Sequence, residues 1–278
     1  MELELSESNA GSLQSADGTR LAYRAWATDG PIVLAAIHGL GDHAGRYAHF
    51  AGGMAKHGVG TYAVDLRGHG KSAGARGHLD SWSQWTDDVS AFISHVEAAA
   101  EVEVVPVGHS FGGAALLSAV LAGKVAKTRR FVVSSPALML KVAAPAWKVK
   151  LGRLASGVAP RLALDNEVNP KTISRIPEVV EAYRTDPLVH SRISTRMFTE
   201  WETAAKDVLA RAGQIKLPFL ILAGTDDALI DPEGSRMLNR SAGEVSTLNL
   251  LHGRYHEPFN DRDSAEVFQL IADWLARR

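Results

Sequence analysis

The stretch Gly108-His109-Ser110-Phe111-Gly112-Gly113 decides how the rest of the sequence is interpreted. It follows an apolar run at residues 102–107 and precedes a helical pattern at residues 114–121. A serine between glycines where a strand turns into a helix is typical of a nucleophile elbow, which exposes the hydroxyl above a sheet. Glycines are needed two residues before and after the serine because side chains there would collide in so sharp a turn. The helix N-terminus beneath Ser110 would also favour negative charge.

The composition limits the class of protein. The chain has 278 residues, a net charge of −1 and no cysteine. That length suits one large α/β domain with an inserted subdomain. The lack of cysteine excludes disulfides, thiolate metal sites and cysteine nucleophiles. Because the net charge is close to zero, we expect no nucleic-acid partner.

The N-terminal residues and the apolar runs bear on location. Residues 1–5 are acidic and alternate with leucine, which is the opposite of a secretory signal. The longest apolar run, residues 32–37, is too short to span a bilayer. We therefore expect a cytoplasmic protein.

Apolar β-prone runs alternate with helical patterns along most of the chain. Strands are predicted at residues 21–27, 32–37, 59–64, 102–107, 131–134, 217–222 and 245–251. Helices are predicted at residues 47–56, 82–99, 114–121, 234–240 and 265–276. Strands that are apolar throughout and separated by helices indicate a mostly parallel sheet covered on both faces, which places the chain in the α/β class.

Residues 137–206 interrupt this alternation. They show no clear strand, several prolines and short helical pieces. We predict an insertion between a first core part, residues 1–136, and a second core part, residues 207–278. Ligands of open α/β sheets bind beyond the carboxyl ends of the strands. Because Ser110 lies at that edge, the insertion would fold over it as a cap.

An elbow serine requires an acid and then a histidine later in the chain. Residues 223–231 follow the strand predicted at residues 217–222, and this loop is where the acid should lie. The loop holds three candidates, Asp226, Asp227 and Asp231.

Two histidines follow that loop, His252 and His256. His252 lies at a predicted strand end, whereas His256 lies further into the loop and could reach back to Ser110. We therefore prefer His256. It would take the proton from Ser110 and return it to the leaving alcohol, while the acid holds the imidazole tautomer.

The oxyanion formed during acyl transfer requires two backbone N–H donors. We expect one from Phe111, the residue after the nucleophile, and the other from Leu40 in the loop after residues 32–37. A metal site is the rival interpretation of the same region, with His38, Asp42, His43 and His49 as its candidate ligands. Their spacing fits no familiar ligand pattern, so we expect no metal and no cofactor.

With these residues in place, the sequence resembles the monoacylglycerol lipase and lysophospholipase group of α/β-hydrolases over nearly the whole chain. Residues 38–47, HGLGDHAGRY, are similar to the HGxGEHSGRY signature of that group. Further matches are DLRGHGKS at residues 65–72, GHSFGG at residues 108–113, YHE at residues 255–257 and the cap motif YRTDPL at residues 183–188.

The resemblance implies a capped α/β-hydrolase fold and a serine hydrolase that cleaves carboxylic esters of single-chain acyl lipids. The acid of the group lies three residues after the glycine that ends the strand, which selects Asp227 over Asp226. The resemblance also implies Leu40 and Phe111 as the oxyanion donors.

It further implies a polar pocket for the glycerol end of the substrate, to which Asp42, Arg46 and Tyr183 correspond. Two positions depart from the pattern. Asp42 replaces the glutamate of the signature, and Phe259 replaces a second histidine of the animal lipases. Because both lie in the leaving-group pocket, lysophospholipids and short-chain esters stay open as alternatives to monoacylglycerol. Aminopeptidase activity and a non-catalytic binding role are less favoured.

The segment at residues 145–158 can form an amphipathic helix. Trp147, Leu151, Leu154, Ala155 and Val158 share one face, and Lys148, Lys150 and Arg153 lie around the rest. One hypothesis is a weak contact between the cap and a membrane surface, which would make the protein peripheral. The alternative is a cap helix whose apolar face packs on its own domain.

Overall fold

The computed structural model describes residues 9–141 and 146–277, and for residues 146–151 it describes the backbone alone. This part of the chain contains ten strands and eight α-helices. The strands are β1 (Asn9–Gln14), β2 (Arg20–Trp26), β3 (Ile32–Ile37), β4 (Val59–Val64), β5 (Glu103–His109), β6 (Phe131–Ser134), β7 (Ala163–Asp165), β8 (Arg192–Ser194), β9 (Phe219–Gly224) and β10 (Ser246–Leu251). The helices are α1 (Ala48–Ala55), α2 (Trp82–Ala99), α3 (Phe111–Leu121), α4 (Ala146–Val158), α5 (Pro177–Thr185), α6 (Thr195–Arg211), α7 (Pro232–Ala242) and α8 (Ser264–Ala276).

Eight strands form one sheet in the order β1-β2-β4-β3-β5-β6-β9-β10. All neighbours from β4 to β10 are parallel, whereas β1 and β2 are antiparallel additions at one edge. The predicted α/β class with a mostly parallel sheet is thereby confirmed.

The strand β3 shows why the sheet is covered on both faces. Its residues Val33, Ala35 and Ile37 belong to a core cluster that includes α2 and α3. The alternate residues Leu34 and Ala36 belong to a second cluster that includes α1 and α8. Each fully buried Val, Leu or Ile side chain contributes roughly 1.5–3 kcal/mol by leaving water, so a strand apolar on both faces is stable only between two helical layers.

The carboxyl ends of the parallel strands meet at one edge of the sheet. The register pairs Ile37 with Gly108, and Gly224 with Leu251. The loops that follow β3, β5, β9 and β10 therefore leave the sheet on one side, and they carry all the predicted site residues except Tyr183, which lies on α5.

The chain between β6 and β9 contains α4, β7, α5, β8 and α6. The prediction that residues 137–206 contain no strand is wrong, because β7 and β8 form an antiparallel pair. Each has three residues, and all three residues of β7 are exposed, so no apolar run marks them. Helix α6 continues across the predicted boundary between residues 206 and 207.

Within the described ranges, no helix is both long and apolar enough to cross a bilayer.

Candidate active site

Ser110 lies at the turn between β5 and α3 in a strained conformation, with φ 54° and ψ −122°. Such backbone strain in a non-glycine residue is typical of a nucleophile elbow. A Cβ on Gly108 would lie 2.7 Å from the Cα of Gly113, and a Cβ on Gly112 would lie 2.3 Å from the carbonyl oxygen of His38. The glycines are therefore required where the sequence predicted them.

Ser110, His256 and Asp227 are joined by two hydrogen bonds. The Oγ of Ser110 lies 3.0 Å from Nε2 of His256, and Nδ1 of His256 lies 2.7 Å from Oδ2 of Asp227. All three residues are buried. Because the carboxylate accepts the Nδ1 proton, Nε2 is left to accept the proton of the serine hydroxyl.

The alternatives left open by the sequence lie elsewhere. The side chain of Asp226 is exposed and accepts a bond from Thr225, and Asp231 caps the N-terminus of α7. His252 is exposed beyond β10. Among these candidates the structure brings Asp227 and His256 to the serine.

Asp227 and His256 each stabilise the charged form of the other. Oδ1 of Asp227 also accepts the backbone N–H groups of Leu229 and Ile230. Burial opposes its ionisation, but His256 and these bonds outweigh burial, and the pKa of Asp227 is lowered. Burial likewise opposes the charged form of His256, but the Asp227 carboxylate outweighs it and raises the pKa of His256 above the usual histidine value.

The predicted oxyanion donors flank the serine. Leu40 and Phe111 both line the cavity that contains Ser110. Gly39 approaches Ser110 so closely that a Cβ there would lie 3.0 Å from the serine Cβ. Neither the Leu40 N–H nor the Phe111 N–H has an acceptor among the described residues. Both donors are therefore free to bind an oxyanion.

A cavity of about 540 Å³ opens above Ser110 between the sheet edge and the cap. Its apolar wall comes from both, with the side chains of Leu140, Ile193, Phe198, Trp201, Leu229 and Ile230. The ring of Trp201 stacks on Phe111 at 4.9 Å, and its indole N–H donates to the carbonyl of Ala137. The wall suits an apolar chain.

The other end of the cavity is polar and is lined by Asp42, Tyr183 and Glu257. Arg46 does not line the cavity but bonds to both carboxylates. Its Nη1 donates to Asp42 at 3.0 Å and to Glu257 at 2.8 Å, and its Nη2 donates to Glu257 at 2.6 Å. The guanidinium also lies 4.7 Å from the ring centre of Tyr183, which comes from α5 of the cap. The structure thus brings together the three residues that the resemblance assigned to the glycerol pocket.

Asp42 keeps one oxygen free. Its Oδ1 accepts from Arg46 and from the N–H of His43, whereas no donor among the described residues reaches Oδ2. Burial opposes ionisation of Asp42, but Arg46 and neighbouring histidines outweigh burial, and its pKa is lowered. Asp42 therefore offers the cavity a carboxylate oxygen that would accept a hydrogen bond from a hydroxyl.

Phe259 forms an apolar wall behind this pocket. Its ring packs against Phe50 at 4.5 Å and lies 6.2 Å from the ring of His109. It is buried and cannot supply the hydrogen bonds of a histidine.

The residues of the rival metal site have other partners. His38 bonds to Gly39 and Leu66, His43 to Gly45 and Asp186, and His49 to Ser264. Across the described ranges, no group of three or more His, Cys, Asp or Glu side chains could hold a metal ion.

Two contacts of this site were not predicted as such. Glu257 binds Arg46 through both carboxylate oxygens. Oδ2 of Asp186 in the cap lies 2.9 Å from Nε2 of His43 in the core, within hydrogen-bond distance. Both residues belong to stretches that carried the resemblance, YHE and YRTDPL. The motifs were therefore the available signal, but the pairing depends on the three-dimensional arrangement.

Part of the predicted amphipathic helix lies outside the described residues, namely Pro145 and the side chains of Trp147, Lys148, Lys150 and Leu151. In the described part of α4, Leu154 is 68% exposed and Val158 is 80% exposed. Leu162 and Leu164 in the segment that follows are also exposed. Leu154 and Val158 therefore do not pack on the domain, contrary to the alternative interpretation of this helix.

Comparison with known proteins agrees with this geometry. The sequence model of the family described as "Serine aminopeptidase, S33" matches residues 31–263. The chain is 32% identical over 273 residues to a monoacylglycerol lipase of Mycolicibacterium smegmatis, covering 95% of each protein. It is also 32% identical to an abhydrolase domain-containing protein of Dictyostelium discoideum, covering 98% of this chain but only 29% of that protein.

A solved structure gives the same result. The monoacylglycerol lipase of Paleococcus ferrophilus superposes with a TM-score of 0.83 at 33% identity. The match covers 92% of this chain and 98% of that chain, so the likeness includes both the sheet and the inserted segment.

Proposed function

The chain belongs to the serine aminopeptidase S33 family of α/β-hydrolases, and from this premise we propose that it cleaves the ester bond of monoacylglycerols through an acyl-enzyme on Ser110. The observation that carries the proposal is a pair of hydrogen bonds, from His256 to Asp227 and between His256 and Ser110. Ser110 and His256 lie where the apolar half of the cavity meets its polar half. The relatives named as monoacylglycerol lipases support the same reaction.

Acylation follows from the geometry. Nε2 of His256 takes the proton as Oγ of Ser110 attacks the ester carbonyl, and the N–H groups of Leu40 and Phe111 bind the resulting oxyanion. The imidazolium then returns the proton to the departing glycerol oxygen, and Asp227 stabilises the charged ring throughout. The products of this half-reaction are glycerol and an acyl ester of Ser110.

Deacylation uses the same groups in reverse. His256 takes a proton from a water molecule, which attacks the acyl carbonyl, and then returns the proton to Oγ of Ser110. The fatty acid leaves and the enzyme is restored. The steps require no cofactor.

The polar end of the cavity supports glycerol as the leaving group. The guanidinium of Arg46 is already shared between two carboxylates, so it has little capacity left to bind a phosphate. The free Oδ2 of Asp42 is a buried anionic acceptor that would repel phosphate but bind a hydroxyl. A neutral polyol suits this end better than a phosphorylated headgroup.

The same contacts bear on the peptidase activity in the family description. A peptidase that acts on N-terminal residues requires an unpaired anion for the substrate ammonium group. Asp42 and Glu257 are both bonded to Arg46, which offsets part of their charge. Because two carboxylates share one guanidinium, the cluster keeps a net negative charge, and the preference for an ester hydrolase rests on the relatives named as monoacylglycerol lipases.

The exposed apolar residues of the cap support a contact with a lipid surface. Leu154, Val158, Leu162 and Leu164 lie within eleven residues, and Leu164 also lines the cavity. Exposed apolar groups concentrated near a cavity entrance are typical of an interaction surface. Flotation with neutral liposomes tests this contact, and a protein that stays at the bottom of the gradient would contradict it.

The main experiment compares kcat/KM on monoacylglycerol and lysophosphatidylcholine with the same acyl chain, with Ser110→Ala as the blank. A preference for the glyceride supports the glycerol pocket. A preference for the lysophospholipid, or comparable weak rates on both, would contradict it. An aminoacyl p-nitroanilide in the same series tests the peptidase alternative.

A further inference from the structure

The loop that carries His256 is bonded to one short segment of the cap. The N–H of Glu257 donates to the carbonyl of Ile173 at 2.9 Å, and the hydroxyl of Ser174 donates to the carbonyl of Asn260 at 2.8 Å. The next cap residue, Arg175, adds further contacts. The cap therefore reaches the base-carrying loop as well as the cavity.

Asp261 is the centre of these contacts. Its side chain is 0% exposed. Oδ1 accepts the N–H groups of Arg175 and Arg262, each at 2.8 Å. Oδ2 accepts Nε of Arg175 at 2.8 Å and the N–H of Tyr255, the residue before His256, at 3.4 Å. One carboxylate thus closes the loop from Tyr255 to Arg262 around His256.

Arg175 supplies the only side-chain cation among the described residues that bonds to Asp261. Its Nη2 also donates to the carbonyl of Arg262 at 3.2 Å. A buried carboxylate is costly unless a cation and hydrogen bonds compensate it. The side chain of Arg175 is 26% exposed, and it neither lines the cavity nor contacts Ser110.

We propose that Arg175 is a positioning residue for His256, acting through Asp261 to hold the loop that places the imidazole between Ser110 and the leaving group. The proposal rests on the proposed function, because His256 must be the catalytic base and acid. Without Arg175, Asp261 keeps its backbone donors but loses its countercharge, and the loop relaxes. A displacement of His256 by a fraction of an ångström lowers kcat, since proton transfer depends steeply on geometry.

The substitution Arg175→Gln tests this in the full-length protein with two esters of one fatty acid, a methyl ester and a p-nitrophenyl ester. Methoxide requires the proton from His256 to leave, whereas p-nitrophenolate leaves without it. We expect kcat on the methyl ester to fall on the order of tenfold or more, with KM nearly unchanged. The loss on the p-nitrophenyl ester should be several times smaller.

Two further variants separate the contact between Arg175 and Asp261 from a general effect of replacing a cap arginine. Arg184→Gln removes an exposed cap arginine that pairs with Glu181 and does not touch the loop, so both rates should match the wild type. Arg175→Lys keeps a cation beside Asp261 and should recover part of the lost kcat on the methyl ester. Titration of active sites with a fluorophosphonate corrects every rate for the fraction of folded enzyme.

Two results would overturn the proposal. One is a corrected rate for Arg175→Gln equal to that of the wild type on both esters. The other is an equal loss on the two esters, which indicates a general structural role. Failure of the proposed function has different signatures: a mechanism without the serine would leave Ser110 of the wild type unlabelled by the fluorophosphonate, and a wrong headgroup would show as a preference of the wild type for lysophosphatidylcholine over monoacylglycerol.

Discussion

The inner end of the cavity, where Ser110 and Asp42 lie, is polar and buried, whereas part of the outer surface of the cap is apolar and exposed. At the inner end, Ser110, His256 and Asp227 are buried polar groups joined by hydrogen bonds, and so are Arg46, Asp42 and Glu257. On the cap, Leu154 and Val158 are exposed apolar side chains. Buried polar groups are tolerated when they are hydrogen-bonded, and a cluster of exposed apolar groups is typical of a surface that a binding partner covers. We infer that chemistry is fixed by the core loops and that access to lipid depends on the cap.

The largest expected effect lies at the inner end. Ser110→Ala should lower kcat by about 10⁴-fold or more, because triad members act as a unit. The variant should fold normally, since alanine fits the same space. The measurement is kcat on a p-nitrophenyl ester, with thermal unfolding as the check on folding. Near-normal turnover would remove the serine from the mechanism.

The pH dependence also belongs to the inner end. The base must be neutral, and burial and Asp227 together leave the pKa of His256 above the usual histidine value. The kcat/KM should therefore fall about tenfold per pH unit as the pH drops below that raised pKa.

Asp227→Asn removes the charge that raises the pKa of His256, so the acid limb of the profile should move to lower pH while the maximum rate falls. A limb that does not move in this variant would show that another group titrates.

A smaller effect is expected at the polar pocket. Asp42→Asn keeps the shape of the side chain but weakens the acceptor for a glycerol hydroxyl. We expect kcat/KM on monoacylglycerol to fall on the order of tenfold, the range of one hydrogen bond to a charged group, with little change on the methyl ester. Asp42→Glu, which restores the glutamate of the signature, serves as the matched comparison. Equal losses on both esters would contradict a headgroup role.

The smallest effect is expected on the cap surface. Leu154→Asp with Val158→Asp should lower activity on monoacylglycerol vesicles severalfold, because the charged face no longer enters the interface. Activity on a soluble short-chain ester should not change. Val102→Asp alters an exposed apolar residue before β5, at the opposite end of that strand from Ser110, and should change neither rate. If vesicle activity is unaffected by the cap substitutions, this surface does not dock on lipid.

The predictable part of the fold is the part with apolar runs. Strands β3, β4 and β6 and helix α2 match their predicted bounds, because each is apolar on a face that the sheet buries. The structure adds β1 and the pair β7 and β8, which are short or exposed. These strands are held by backbone hydrogen bonds rather than by hydrophobic burial, and backbone hydrogen bonds produce no apolar pattern in the sequence.

The candidate site divides in the same way. The proximity of Ser110 and His256 was predictable because each occupies a fixed place after a strand, and Asp227 was selected by the resemblance; their catalytic roles stay a proposal. The contact of Arg175 with Asp261 joins residues 86 positions apart in a cap and a loop. No periodicity or local motif encodes that pairing, so it depended on the three-dimensional structure.

Every step of the proposed reaction depends on Ser110 as the nucleophile. The most direct measurement is peptide mass spectrometry of the wild type and Ser110→Ala after reaction with a fluorophosphonate. We predict one adduct, on the peptide that contains Ser110, with loss of ester hydrolysis in proportion to labelling, and no adduct in the variant. Labelling at another residue, or continued hydrolysis by fully labelled protein, would contradict the account.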